Sequence, residues 1–299
     1  MIGKQIPIIL IVILLACGCV KRQIGTGKPA TRDYQLKEKS PFTQKELDII
    51  VNLDALEKKW EQGFGSGLVK EQNDITQDIK DIALDNLPLL KKAMQTNDIE
   101  VKMIASLALG FTDEREVVDM LLAATNDASN NVKANAAFSI GLLGFKDISK
   151  ESLVSLLSSE DPAVRNSAAF ALSRTVSKTD SRLLLEPLHK ALKDAYPEVR
   201  REVVRSLTIL ADKESMSHLI NCLKDTDEFV RINAVLALSF YKDASVIKSL
   251  IEALSDTEQK VRDAALYSLK QITGESFSDA KPWQDWWAVN KDSEKYKNK

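Results

Sequence analysis

Apolar and polar residues follow one another along this chain in a pattern that repeats at a nearly constant interval. The pattern is easiest to follow from a valine that occurs once in each period, directly before a lysine or an arginine. Each of these valines stands thirty-one to thirty-five positions after the one before: Val101, Val132, Val164, Val199, Val230 and Val261. A fixed period of this length is typical of stacked supersecondary units and not of one globular core.

Each period contains two amphipathic helices. A leucine always stands eleven positions before the valine, and apolar residues dominate fourteen and seven positions before it, which places them on one helix face. A second helix contains the valine, with a small residue four positions later and a large aliphatic residue eight positions later. The small residues allow helix axes to approach closely. The three rows are Leu90, Leu121, Leu153, Leu188, Leu219 and Leu250; Ala105, Ala136, Ala168, Val203, Ala234 and Ala265; and Leu109, Ile140, Leu172, Leu207, Leu238 and Leu269.

Both ends of the repeat region carry elements of their own. Apolar residues at helical spacing predict a helix over residues 43–60 that is capped by Thr43, and the glycines at positions 63, 65 and 67 then predict a turn. No apolar strand precedes these glycines, so they are not a dinucleotide-binding fingerprint. The helical pattern resumes from Asp78. Near the other end one helix face presents three indoles, which predicts a cap over the last repeat, with an aromatic ligand platform as the alternative: Trp283, Trp286 and Trp287.

The turn between the two helices of each period carries an aspartate, which is followed by the Val-Lys or Val-Arg pair and usually by an alanine. This combination resembles the HEAT family, specifically the short HEAT-like repeats named for phycobilisome lyases, over about residues 76–274. The resemblance implies an all-α fold: a right-handed α-α superhelix (a HEAT-like or armadillo-type solenoid) of about six two-helix repeats. It also implies a structural ladder in which turn aspartates pair with basic residues of neighbouring repeats: Asp98, Asp127, Asp161, Asp194, Asp225 and Asp256 with Lys102, Lys133, Arg165, Arg200, Arg231 and Arg262.

The first residues predict export and a lipid anchor. Lys4 lies near an apolar run that is too short for a bilayer-spanning helix, which needs about 20 residues. The run ends in Leu14-Leu15-Ala16-Cys17, which resembles the lipobox of bacterial lipoproteins and implies acylation of Cys17, with Cys19 as the competing acceptor. Gly18 after the proposed anchor favours, by the same resemblance, the outer over the inner membrane. An ordinary cleaved signal and an uncleaved apolar N-terminus are the alternatives.

These features predict five segments. They are a lipoprotein signal peptide (1–16), a flexible tether (17–42), an N-terminal helix with a glycine-rich turn (43–75), the repeat solenoid (76–274) and a C-terminal cap with a charged tail (275–299). The tether is rich in Gly, Lys, Thr and Ser, without a helical period. Its Gly25-Thr-Gly27-Lys28 lacks the remaining residues of a phosphate-binding loop.

Two histidines and three cysteines leave little material for metal chemistry. The 41 basic and 43 acidic residues give a net charge of −2 with no basic stripe, which argues against nucleic acid as a partner. His189 and His218 are interpreted as helix residues without a metal-completing set, and Cys222 as a small core residue. Asp225-Thr-Asp227 lacks the glycine and distal glutamate of a calcium loop. Deoxyhypusine hydroxylases, which are built from similar repeats, bind iron through His-Glu pairs, and this sequence has no such dipeptide.

The sequence therefore predicts a non-catalytic, lipid-anchored scaffold or adaptor in the bacterial cell envelope, facing the periplasm or exterior, without a cofactor or a metal. Its partner is expected to be a protein of unknown identity, held along the outward side of the helices that precede the valines. By resemblance to the HEAT family, that side would line a concave groove. A bilin-lyase-like enzyme or maturation factor and a purely structural envelope protein are the alternatives. The predicted groove row is Asp119, Glu151, Glu186, Lys190, Asn221, Lys248 and Glu252.

Overall fold

The computed structural model describes residues 40–63 and 69–296, and this part of the chain consists of helices and their connections. No strand occurs within these two ranges. The α-helices, numbered here in chain order, are α1 (Gln44–Gln62), α2 (Val69–Asp85), α3 (Leu87–Ala93), α4 (Ile99–Ala108), α5 (Val118–Ala124), α6 (Asn130–Leu143), α7 (Glu151–Leu156), α8 (Pro162–Thr175), α9 (Ser181–Ala191), α10 (Pro197–Leu210), α11 (Met216–Cys222), α12 (Glu228–Leu238), α13 (Ala244–Ala253), α14 (Gln259–Thr273) and α15 (Ala280–Asn290).

The described chain divides after Thr175 into two compact units. Unit 1 contains α1 to α8, in which α1 packs against α2 and α4, and the pairs α3/α4, α5/α6 and α7/α8 follow. Unit 2 contains the pairs α9/α10, α11/α12 and α13/α14, and α15 packs against α13. The six helix pairs predicted from the period are therefore present. In each unit the longer, valine-bearing helices pack against one another more extensively than the short helices do.

The rows that define the period are the buried rows of the structure. Every marker valine is at most 2% exposed, and every leucine eleven positions before it is fully buried. The small residues four positions after the valine are at most 1% exposed, and the same holds for the aliphatic residues eight positions after it. Fully burying one such aliphatic side chain contributes about 1.5–3 kcal/mol, so the repetition places a comparable apolar contribution in every helix pair.

The long helices of unit 1 approach closely because small residues face each other. A methyl group placed on Gly110 would lie 2.8 Å from Cα of Ser139, and one on Gly141 would lie 3.1 Å from Cα of Ala171. Polar atoms bridge the same interface, since Ser139 Oγ donates to the carbonyl of Ser106 at 2.7 Å and Asn135 Nδ2 donates to that of Met103 at 3.0 Å. These buried polar groups are thus satisfied by the backbone of the preceding long helix.

The N-terminal helix begins as predicted, but the next helix begins earlier. Thr43 caps α1 with a reciprocal capping box, in which Glu46 Oε2 accepts the backbone N–H of Thr43 at 2.7 Å. This hydrogen bond, followed by those from Lys92 and the Thr43 hydroxyl, lowers the pKa of Glu46 to about 2. Helix α2 starts at Val69 and not near Asp78, and its polar first turns are held by the bond from Trp60 Nε1 to Thr76 Oγ1 at 3.0 Å.

One buried lysine replaces an apolar residue of the repeat pattern. Lys150 stands fourteen positions before Val164, where other repeats carry Leu87, Val118 or Ile247, and it is only 4% exposed. Its Nζ donates to the carbonyls of Lys146 at 2.8 Å and Ile148 at 3.1 Å. The ammonium group of Lys150 therefore donates to carbonyls of the connection before α7, and these hydrogen bonds allow a lysine at a position that is otherwise apolar.

Candidate functional site

The turn aspartates share one local geometry in all six repeats. Each carboxylate accepts the backbone N–H of the residue two positions further on, at 2.8–3.1 Å, which closes the turn before a long helix. Asp98 is also the N-cap of α4, since its Oδ1 accepts from Val101 N at 3.3 Å. The predicted aspartate positions are thus turn-forming residues. Their second carboxylate oxygen can accept from a partner in another repeat.

Three of the predicted ladder pairs are brought together by the structure. Lys102 Nζ donates to Asp127 at 2.7 Å in unit 1. In unit 2, Arg200 binds Asp225 through two hydrogen bonds of 2.8 and 2.6 Å, and Arg231 binds Asp256. These pairs join α4, α10 and α12 to the turn of the following repeat.

Arg231 shows how one guanidinium serves two turns. Its Nε and Nη2 donate to the two carboxylate oxygens of Asp256 at 2.8 and 2.9 Å, while Nη1 donates to the carbonyl of Asp225 in its own turn at 2.9 Å. Burial alone would raise the pKa of Asp256, but the hydrogen bonds from Arg231 and from the Glu258 N–H lower it overall. The planar fork of arginine pairs in parallel with both oxygens of one carboxylate while a third nitrogen reaches another acceptor, a bidentate geometry that the compact ammonium of lysine does not reproduce.

The other predicted ladder residues take related positions. Arg165 Nη1 donates to the carbonyls of Ser159 and Glu160 at 2.8 and 3.0 Å. Arg262 Nη1 donates to the carbonyl of Asp256 at 2.6 Å. The pKa of Asp127 is lowered overall. Burial, the largest effect, raises it, but the hydrogen bonds from Lys102 and from the Ser129 N–H lower it, and the charge of Lys133 makes a smaller contribution in the same direction.

A second ion pair lies beside the ladder and was missed by the sequence analysis. Arg201 binds both carboxylate oxygens of Asp227, and its guanidinium lies 4.7 Å from the ring centroid of Phe229. Asp227 is also the N-cap of α12 through Val230 N at 3.0 Å. The signal that could have revealed it is the paired arginines after Val199, one of which has no equivalent in the other repeats.

The region that hinted at calcium chemistry is engaged in these ion pairs. Asp225 and Asp227 each bind an arginine, so both carboxylates already have a cationic partner. Within residues 40–63 and 69–296, no three His, Cys, Asp or Glu side chains are grouped so that they could hold a metal ion. Cys222 is buried, and burial, followed by the charge of Asp225, raises its pKa to about 12, which is unlike a nucleophilic thiol.

The two histidines of the sequence meet in unit 2. Their rings stack with centroids 4.0 Å apart and an interplanar angle of 14°. His189 lies near the end of α9 and His218 in the first turn of α11. Both were predicted to be helix residues, but their contact was not predicted from the sequence. No linear motif announces it, because the two residues belong to different helix pairs.

The predicted groove row lies on the outside of the short helices. All seven of its side chains are exposed, with Asp119 and Glu151 in unit 1 and the other five in unit 2. Hydrogen bonds from Ser149, then from the backbone at the start of α7, lower the pKa of Glu151. The row is polar throughout, and whether it binds a partner stays a prediction.

Three exposed apolar residues of unit 2, on or just after its long helices, were not singled out from the sequence. Phe240 is 67% exposed, Tyr267 57% and Leu236 39%; these three residues are called the long-helix patch below. Ser268 Oγ donates to the carbonyl of Val235 at 3.2 Å, so Tyr267 and Leu236, which adjoin these two residues in sequence, belong to stretches of α14 and α12 that pack against each other.

Equivalent positions in unit 1 are covered. Leu236 and Tyr267 stand six positions after their marker valines, where unit 1 has Leu107, Phe138 and Phe170. Phe138 and Phe170 stack at 4.8 Å, and Trp60 of α1 packs edge-on against Phe138 at 6.1 Å. The signal that could have found the patch is this sixth position, which is apolar in every repeat except at Arg205.

The aromatic C-terminal segment is packed together. Trp283 is fully buried, and its ring makes edge contacts with Phe277 at 5.0 Å and with Trp286 at 5.7 Å. Tyr296 packs against both Trp286 and Trp287 at about the same centroid distances, 5.9 and 6.0 Å. Lys295 Nζ donates to the carbonyl of Thr273 at the end of α14, at 3.0 Å. The packing of Trp283 is that of a core residue.

The predicted anchor lies outside the described residues. Cys17, Cys19 and the segments 1–16 and 17–39 are therefore not placed. Among residues 40–63 and 69–296, no helix is both long enough and apolar enough to cross a bilayer.

Repeated helix pairs with buried valine, leucine and alanine rows define a helical-repeat protein. The family model for HEAT repeats matches residues 118–186 and 185–270, which together span just over half of the chain. The chain belongs to the HEAT repeat family. No curated protein sequence matches it.

Several solved structures share this helical-repeat fold. The YibA protein of Escherichia coli has a TM-score of 0.53 at 20% identity, covering 85% of this chain and 98% of that chain. Computationally designed armadillo repeat proteins for modular peptide recognition have a TM-score of 0.51 at 20% identity, covering 62% of this chain and 100% of that chain. The predicted all-α fold of HEAT-like helix pairs is confirmed.

A phycocyanin lyase provides a more distant comparison. The CpcE and CpcF complex from Nostoc has a TM-score of 0.47 at 22% identity, covering 62% of this chain and 76% of that chain. Likeness at this level does not bear on activity.

Proposed function

We propose that this protein is a lipid-anchored adaptor of the bacterial cell envelope, tethered through Cys17, whose HEAT repeats hold a protein partner without catalysing a reaction. Membership of the HEAT family supports protein binding as the role of the repeats. Anchoring rests on the lipobox-like sequence before Cys17. The buried, weakly acidic thiol of Cys222 gives no support to a nucleophilic mechanism.

The observation that carries the proposal is the long-helix patch. Exposed apolar side chains that stand singly need no explanation, but neighbouring ones on adjoining helices mark interaction sites. Leu236 and Tyr267 are contributed by α12 and α14, which the Ser268 hydrogen bond joins, and Phe240 follows the end of α12 by two positions. Aromatic residues of this kind are also the usual energetic centres of protein interfaces.

The charges beside the patch support one kind of partner. Lys270 lies one helical turn after Tyr267, and Lys242 follows Phe240 by two positions; both lysines are exposed. We therefore propose that the patch binds a protein segment with an apolar anchor residue followed by acidic side chains. The predicted row on the short helices is the second candidate surface, because it carries Glu151 and Glu186 and would suit a basic partner.

One experiment separates these surfaces. Crosslinking in cells followed by affinity capture from membranes identifies a partner, and its purified binding segment is then titrated against full-length variants. Phe240→Ser is expected to weaken binding at least about tenfold, as for a central interface residue. Val289→Ser removes an apolar side chain that is 84% exposed on α15, outside the patch, and is expected to leave the affinity unchanged.

The variants also decide between alternatives. Loss of binding in a Glu151→Lys/Glu186→Lys variant, with Phe240→Ser unaffected, would assign the interaction to the short helices and remove the patch from it. A purified protein with a covalently bound tetrapyrrole and a visible absorbance band would support the lyase-like alternative. Failure to capture any partner, with uniform abundance over the cell surface, would support the structural one.

Anchoring has its own test. Cys17→Ser is expected to release the protein from membranes and to abolish fatty-acid labelling, whereas Cys19→Ser is expected to change neither. Firm membrane association and labelling of Cys17→Ser would refute the assignment of Cys17, and loss of labelling in Cys19→Ser would move the anchor to that residue.

A further inference from the structure

We propose that His189 and His218 form a pH-sensitive contact between two neighbouring helix pairs of unit 2, in which the stacked rings accept one proton and the second proton loosens the contact between α9 and α11. The histidine pair involves neither the proposed partner nor the anchor.

The geometry of the stack carries the proposal. The rings lie 4.0 Å apart and within 14° of parallel, so each imidazole covers a face of the other. Both side chains are half-buried. Two neutral rings, or one neutral and one protonated ring, are compatible with this contact, but two cations at this distance repel each other in a partly desolvated site.

The serine near His218 fixes one ring. Ser215 is fully buried, and its Oγ lies 2.9 Å from Nε2 of His189. A hydroxyl can donate to a neutral imidazole and can accept from a protonated one. The hydrogen bond therefore survives the first proton, so it is the second charge, and not loss of this bond, that opposes the stack.

The turn that carries Ser215 is held by a tyrosine that follows α12. Tyr241, just after the end of α12, donates its hydroxyl to the carbonyl of Asp212 at 2.9 Å, and Asp212 accepts the N–H of Glu214 at 3.0 Å. Because the turn and the start of α11 are fixed in this way, the rings can separate by movement of α9 or by rotation of a histidine side chain. Helix α9 contains Pro187 one turn before the end, which removes a backbone donor there.

The charged groups acting on His189 come from α11 and from the turn before it. Burial, followed by the charge of His218 on α11, lowers the pKa of His189, whereas Glu214 and Asp212 of the intervening turn act in the opposite direction. The net direction is downward. In the folded protein His189 thus binds its proton at lower pH than it does in the unfolded chain, where the value is about 6.5.

The sign of the pH effect follows from linkage. A histidine with a lowered folded pKa contributes stability that is complete above the unfolded pKa and is lost as the pH falls below about 6.5. Over that window the unfolded state binds up to one more proton, so the folding equilibrium constant of unit 2 should fall by up to about tenfold per pH unit. Carboxylates take up their protons at lower pH, which leaves the range from about pH 7.5 to about pH 5.5 largely to this pair.

The test uses the full-length chain in three forms: wild type, His218→Gln, and Lys248→Gln as a control that removes a positive charge from α13. Imidazole proton resonances are followed by NMR from pH 8 to 5, and hydrogen exchange of the α9 and α11 amides is compared at pH 7.5 and 5.5. In wild type we expect two separate titration steps and faster opening of both helices at pH 5.5, after correction for intrinsic exchange. In His218→Gln the His189 step should move toward 6.5, and the extra opening should shrink.

Two results would overturn the proposal. One is a wild-type titration in which both histidines share a single midpoint near 6.5. The other is a pH-dependent opening of α9 and α11 that is the same in His218→Gln as in wild type. Lys248→Gln is expected to match wild type in both measurements. If Lys248→Gln instead changed the titration and the opening as much as His218→Gln does, the cause would be the overall charge and not the stacked rings. If His218→Gln does not fold, the wild-type titration alone decides.

Discussion

A single methyl group at Gly141 tests how closely the long helices of unit 1 approach. Gly141 lies on α6, facing α8. A Cβ at this position would lie 2.6 Å from both Cδ1 and Cε1 of Phe170 and 3.1 Å from Cα of Ala171. Phe170 is 5% exposed and stacks on Phe138 at 4.8 Å, so its ring has little room to move aside.

Two opposing effects determine the result of Gly141→Ala. Replacing a helical glycine by alanine stabilises the helix by about 1 kcal/mol. Overpacking a filled core typically costs about 1–3 kcal/mol. Carbon atoms prefer separations of about 3.5–4.0 Å, so the two ring contacts are far too short and the third contact is to backbone. We therefore take the upper part of the steric range and expect a net loss of about 1–2 kcal/mol.

Thermal unfolding followed by circular dichroism measures this loss. For a unit of this size the midpoint of unit 1 should fall by several degrees, roughly 3–8 °C per kcal/mol. Asn131→Ala, at an exposed position of the same helix, is the matched control and should change the midpoint little. The double variant Gly141→Ala/Phe170→Leu should lose less stability than the sum of the two single variants, because the ring that clashes with the new methyl group is removed. A Gly141→Ala variant that is more stable than wild type would show that α6 and α8 are not this close.

Three further predictions concern the cap, the ladder and the N-terminal helix. Trp283→Ala should destabilise unit 2 by about 3–5 kcal/mol because the indole is fully buried, whereas Trp287→Ala should cost clearly less; equal urea midpoints would exclude capping by Trp283. Arg231→Lys should lower the stability of unit 2 by about 1 kcal/mol through loss of the second hydrogen bond to Asp256, and an unchanged urea midpoint would mean that the paired geometry contributes nothing. Glu46→Gln should be less stable than wild type at pH 6, and the difference should vanish toward pH 2. The folded pKa of Glu46, about 2, lies below the unfolded value of about 4.3, so its carboxylate adds stability that is complete above about pH 4.3 and is lost as the pH falls toward 2. A difference in stability that persists at pH 2 would contradict this.

The repeat itself was predictable because the same physical requirement recurs in every period. Each helix pair must bury a leucine, a valine and an aliphatic residue at fixed offsets, and Leu219 and Val230 of one repeat occupy the same environment as their counterparts in the others. The turn aspartates were predictable for a similar reason, since their hydrogen bond to the second following N–H is local. Local hydrogen bonds and helical periodicity leave a record in the linear sequence.

The candidate surfaces were less accessible to sequence reasoning. The predicted row on the short helices is exposed, but exposure of charged residues is the ordinary state of a surface. The long-helix patch went unnoticed because Tyr267 occupies the same offset as Phe138, an aromatic residue that packs against Trp60. Sequence offset places both side chains on the same helix face without showing whether another element covers that face.

Among the ion pairs, too, some could be predicted from the sequence and others could not. Pairing of Arg200 with Asp225 follows from the repeat, because the same two positions recur in each period. The bond between Arg201 and Asp227 does not, since it depends on one additional arginine that happens to lie opposite one N-cap. The stacked histidines are a further case, because their contact depends on the rotamers of two residues on different helices.

The sequence by itself thus determined the helices, their pairing and the residues that form their common interior, because these follow from periodic burial and local hydrogen bonding. Only the tertiary structure decided which apolar residues remain exposed and which charged or aromatic side chains meet. Packing distances such as that between Gly141 and Phe170 and the covering of Phe138 by Trp60 depend on how whole helices are positioned, and positions that are equivalent in the repeat can therefore differ in exposure and in partners.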